Sequence, residues 1–76
     1  MSMELRIRYY SNYTGEYGPN TFCYRRKDRI HDRLVWLESH PHNAMFVLLV
    51  NGQVIANNVG DTCEQGWRNV IRQYTA

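Results

Sequence analysis

Five side chains between Arg25 and Arg33 carry positive charge, and three of them fall on one helical edge. Arg25, Arg29 and Arg33 recur every fourth residue, Trp36 continues that edge, and Arg26 and Lys27 lie beside it. Guanidinium groups fork onto phosphates or carboxylates, and an indole offers a face for stacking a base or another guanidinium. The pattern points to a contact with nucleic acid or with an acidic protein. The same residues also suit a plainer arrangement: a solvated helix face, with Asp28 and Asp32 offsetting the charge and Trp36 tucked against the domain.

Tyrosines form the second constellation. Tyr9, Tyr10, Tyr13 and Tyr17 lie among Ser, Asn, Gly and Thr. Tyrosine supplies large contact area at low entropic cost, and small polar neighbours supply adaptable hydrogen bonds, so this mixture suits a binding surface. The competing role is structural, with some of these rings wrapping the rim of a small core.

Other chemistry finds little support. Cys23, Cys63, His31, His40 and His42 are all zinc-ligand types, but their spacing matches no zinc pattern. No metal or other cofactor is expected. Cys63 reads as a small buried hydrophobe on a helix face. A nucleophile–base pair could be drawn only between Cys23 and His31, with no oxyanion hole in view. Asp28 and Asp32 each adjoin an arginine, which keeps a carboxyl ionised and unsuited to acid work. No phosphate-cradling glycine loop and no hydrolase or metalloprotease motif occurs. The chain is therefore read as non-enzymatic.

The elements that must position these residues are organised around Ala44–Val59. Seven apolar residues, Ala44 to Val50, meet Asn51-Gly52, and a second apolar-containing run follows. Asn-Gly between such runs predicts a two-residue hairpin, because a type I′ turn needs φ > 0 at both central positions. An uninterrupted two-residue turn pairs Val50 with Gln53, Leu49 with Val54 and Leu48 with Ile55, then Phe46 with Asn57 and Met45 with Asn58. The run Ala44–Val50 is apolar at every position, so it belongs inside the sheet or is covered on both sides.

Upstream, Met1–Met3 reads as a frayed lead-in. Glu4–Tyr10 alternates, with Leu5, Ile7 and Tyr9 on one side and Glu4, Arg6, Arg8 and Tyr10 on the other, which predicts a half-buried strand. Gly15, Gly18 and Pro19 mark Ser11–Asn20 as a loop. Thr21–Arg25 is β-prone and predicts a short strand paired back onto the first. A helix follows, with Asp28 as N-cap, Ile30, Leu34 and Leu37 on one face, and an end at His40-Pro41. The last helix is predicted from a capping box over Asp61–Glu64 and the stripe Cys63, Trp67, Val70, Ile71 and Tyr74. Gly66 inside that helix costs about 1 kcal/mol relative to Ala, which predicts a close packing partner there.

The sum is a single α+β domain over residues 1–76, a mainly antiparallel four-stranded sheet with two helices on one face. The order is ββαββα, or βαββα if the second strand is absent. A chain of 76 residues buries only about 60–65% of its unfolded surface, which leaves little room for a deep active-site cleft beside a complete core. The net charge of +2 is low for a protein that lives on nucleic acid. Two cysteines are too few for a disulfide scaffold, both are expected as reduced, buried thiols, and nothing at the N-terminus reads as a secretion signal. The longest apolar run is far below a membrane span. A cytoplasmic location follows as an expectation.

In size and composition the chain resembles the small α+β inhibitors of host machinery encoded by phages and plasmids, a likeness carried by no motif. The leading expectation is a protein-binding module, an inhibitor or adaptor docking on a larger complex such as one that processes nucleic acid. Its contacts would be Tyr10, Tyr13, Tyr17, Arg25, Arg26, Arg29, Arg33 and Trp36. The alternative is direct nucleic-acid binding through the same basic edge together with Arg6, Arg8 and Lys27. Homodimerisation through an exposed strand edge is a third reading.

Overall fold

The computed structural model describes residues 2–59 and 66–75. The chain runs β1 (Met3–Ser11), β2 (Glu16–Tyr17), β3 (Phe22–Tyr24), α1 (Lys27–Ser39), β4 (Ala44–Val50), β5 (Gln53–Asn57) and α2 (Gly66–Thr75). All the strand pairings are antiparallel. β1 and β4 are the two inner strands, β5 lies on the far side of β4, and β2 and β3 share the other side of β1. The α+β class and the strand at Thr21–Arg25 are as the sequence predicts, with Phe22 opposite Ile7 and Tyr24 opposite Leu5. The expected Ser11–Asn20 loop is more structured than its composition suggests, since Glu16 and Tyr17 turn back to pair with Ser11 and Tyr10.

The core lies between one face of the sheet and the two helices. Leu5 and Ile7 from β1, Ala44, Phe46 and Leu48 from β4, and Ala56 from β5 meet Ile30, Leu34 and Leu37 of α1 and Trp67 and Ile71 of α2. The alternation of β1 and the 3.6-residue spacing of the helices therefore fall where the sequence puts them. Phe46 and Trp67 meet edge to face, 5.3 Å between ring centroids. The helices are joined at their surface by Arg72, which donates to Glu38 at 2.7 Å, and by His31, which donates to the Thr75 carbonyl at 3.1 Å.

The hairpin turn forms as expected, with φ of +52° at Asn51 and +81° at Gly52. Its register holds for two pairs and then slips: Leu49 faces Val54, but Leu48 faces Ala56 and Val47 faces Asn57. Ile55 is the extra residue of a bulge. Without it Asn57 would face Phe46 and point into the core, because a slip of one residue moves each side chain to the other face. Past the bulge, the Asn58 side chain takes over from the strand. Its Oδ1 accepts from Phe46 N at 2.9 Å, and its Nδ2 donates to the carbonyls of Ala44 and Pro41.

Four smaller expectations are corrected. Asp28 is not the N-cap: α1 starts earlier, at Lys27, with extended Arg26 in the cap position and no side-chain cap bond. Ser2 is not frayed, because its amide and carbonyl bond the Asn51 side chain and amide. Among the described residues Gly66 has no close neighbour, since a Cβ there would meet none of them within 4 Å. Cys23 is exposed rather than buried, because it lies opposite Arg6 on a short edge strand. The predicted capping box at Asp61–Glu64 and the place of Cys63 lie outside the described residues.

Candidate functional site

The tyrosine turn is built by backbone bonds. Ser11 O accepts from Gly15 N at 2.9 Å, with Gly15 at φ +72°, and Tyr9 O accepts from Gly18 N at 2.8 Å. The left-handed conformation at position 15 explains glycine there. Thr14 Oγ1 accepts from Glu16 N, and Arg8 Nε donates to Gly18 O at 2.9 Å, so a strand side chain holds the returning loop. On this base Tyr10 and Tyr17 lie opposite each other, with rings edge to face at 5.4 Å. Tyr13, at the tip, is 102% exposed.

Tyr9 goes elsewhere, as its inward parity requires. Its hydroxyl lies 3.0 Å from that of Tyr24 and accepts from Arg33 Nη1 at 3.3 Å. Its ring meets the edges of Phe22 and Trp36. Arg33 lies 5.5 Å over the Trp36 ring, and His40 stacks with that indole, 5.0 Å between ring centroids. The hydrogen bond to Tyr9 pushes the Tyr24 hydroxyl above its ordinary value, and the same group raises Arg33 further. Arg33 and Trp36 thus seal the rim of the core.

The rest of the basic edge is divided. Arg25 reaches Glu4 at 3.3 Å, and Arg6 pairs with the same carboxylate, which holds Glu4 below its usual range, chiefly through the Arg6 bond. Arg26 meets Asp28 at 2.9 Å. The Asp28 carboxyl is lowered first by the Arg29 amide it accepts from and then by Arg26. Lys27 and Arg29 are exposed, and among the described residues no carboxylate lies within ion-pair distance of either.

The structure therefore does not assemble the two sequence-derived patches into one site. Tyr10 and Tyr17 share the open face of the sheet with Arg6 and Arg8. Arg29, Arg33 and Trp36 belong to α1, which packs on the opposite face. What sequence reasoning missed is the open face itself. Met45, Val47 and Leu49 of β4 lie opposite Arg8, Arg6 and Glu4, all directed away from the helices. Val54, exposed, extends this strip onto β5. The signal was present in Ala44–Val50, where every outward position is apolar.

Among the described residues no three His, Cys, Asp or Glu side chains come together, and no helix is long and apolar enough to cross a membrane. No family model matches the chain, and no curated protein or solved structure matches it either, so its chemistry rests on this geometry alone.

Proposed function

We propose that this chain is a small protein-binding module, an inhibitor or adaptor that docks on a larger complex and performs no chemistry of its own. The observation that carries the reading is the Tyr13 ring, fully exposed on a turn fixed by backbone bonds at Gly15 and Gly18 and by Arg8. An anchor held in place before contact loses little entropy on binding, which is what a hot-spot tyrosine needs. The adjoining Tyr10–Tyr17 pair enlarges that contact.

Nucleic acid is the competing partner. Its case is reduced because Arg6, Arg25 and Arg26 already face carboxylates and Arg33 is engaged by Tyr9 and Trp36. Among the proposed contacts, phosphate neutralisation would fall mainly to Lys27, Arg29 and Arg8, too few for strong counterion release.

The test is an affinity capture from cell lysate with the native chain and with Tyr13→Ala, each with and without nuclease. A defined protein retained by the native chain after nuclease, and lost from Tyr13→Ala, is the expected result. Recovery that collapses with nuclease, or that is identical for both chains, overturns this reading.

A further inference from the structure

The open face is apolar along β4 and basic along β1, and it is hollowed. Arg6, Arg8, Met45 and Val47 line one depression of about 270 Å³. Arg6, Arg25 and Leu49 line a second of about 340 Å³. Arg6 stands between them, so the two form one shallow track along the β1–β4 seam. Among the described residues no element covers it, because both helices pack on the other face. Along the track there is one carboxylate, Glu4, against three guanidinium groups, and it pairs with two of them, Arg6 and Arg25. Arg8 is the distinctive one. Its Nε is tied to the Gly18 carbonyl, which fixes the plane of the guanidinium, and no carboxylate among the described residues lies within ion-pair distance of it.

We infer that this track docks an acidic segment of a partner protein, with aliphatic side chains seated on Met45 and Val47 and a carboxylate on Arg8. A held guanidinium is suited to a bidentate carboxylate contact, and the apolar floor supplies the area. A second copy of the chain fits less well, since it would set a surface with excess positive charge against its like. Nucleic acid fits less well too, because the floor between the arginines, Met45 and Val47, is aliphatic, and the Tyr10 and Tyr17 rings on this face lie past Arg8 at its end. The inference rests on the protein-binding reading and names the chemistry of the partner.

The probe is a random twelve-residue peptide library displayed on phage and selected against the whole chain. The expected result is enrichment of peptides that combine Asp or Glu with Leu, Ile, Val or Met. Resynthesised, these bind the native chain roughly tenfold more tightly than they bind Arg8→Glu or Val47→Asp, which is the scale of one charge-assisted pair. Unfolding in urea shows that both variants keep the fold. Enrichment of basic or uncharged peptides, no enrichment, or equal affinity for Arg8→Glu and Val47→Asp overturns the inference. So does sedimentation as a dimer that Val47→Asp dissolves, or displacement of the peptides by duplex DNA at equal concentration. If Tyr13→Ala loses the lysate partner while Val47→Asp, which leaves the Arg8 bond to the turn in place, retains it, the protein-binding reading stands and the acidic-segment track falls.

Discussion

Along β4, Ala44, Phe46 and Leu48 are almost completely buried, whereas Met45, Val47 and Leu49, each one residue further on, are only partly covered. The two sets are alike in chemistry. What separates them is the parity of a strand and the choice of both helices for the same side of the sheet. The inner set shares its space with Ile30, Leu34, Trp67 and Ile71. The outer set is bordered by Arg6 and Arg8. A strand apolar on both faces in a sheet covered on one leaves hydrophobic area in water, and that area is where the proposed partner would seat.

The difference between the two sets is broken most directly in the inner one. Phe46→Ala removes a fully buried ring packed on Trp67 and is expected to lower stability by about 3–5 kcal/mol, read from urea unfolding. Val47→Ala, one residue along, is expected to cost less than about 1 kcal/mol. Equal losses would mean that the outer face is packed as tightly as the inner one.

Asn58 sharpens the same contrast, because its side chain holds the strand end just beyond the bulge that keeps Asn57 out of the core. Asn58→Ala leaves Phe46 N and the Ala44 and Pro41 carbonyls without that side chain. A loss of about 1–3 kcal/mol is expected. A change near zero would show that water replaces the side chain at no cost and that the slip of register has another cause.

At the rim, Tyr24→Phe removes the hydroxyl pair with Tyr9 and is expected to cost about 1 kcal/mol at neutral pH. The folded state raises the Tyr24 value above 10.0. Its stabilising contribution is therefore fully present below pH 10 and is lost as pH rises through the higher folded value. Comparison of urea midpoints between neutral and strongly alkaline pH should show a steeper fall for the native chain than for Tyr24→Phe. Parallel curves would remove the linkage. The smallest effect is at the tip: Tyr13→Ala should change stability by less than about 0.5 kcal/mol, since the ring touches nothing to lose. A larger loss would make Tyr13 a structural residue and take away the anchor.

Local patterns carried much of this fold on their own. The alternation of Leu5, Ile7 and Tyr9, the spacing of Ile30, Leu34 and Leu37, the pair Trp67 and Ile71, the Asn51-Gly52 turn and the stop at His40-Pro41 all work within a few residues of chain. Each is set by backbone geometry that neighbouring side chains determine. The sequence also held the types that line the candidate site, but not their grouping. Whether Arg33 and Trp36 were free or folded down depended on Tyr9 and Tyr24, many residues away, reaching the same rim. Whether Arg8 and Arg29 faced one way or opposite ways depended on which side of the sheet α1 chose. The bulge at Ile55, which sets Asn57 opposite Val47 and not Phe46, is a matter of how two strands pair. These were decided by tertiary structure alone, because burial and charge pairing are properties of the neighbours a side chain meets in space, and a strand apolar on both faces records no preference for which of them is covered.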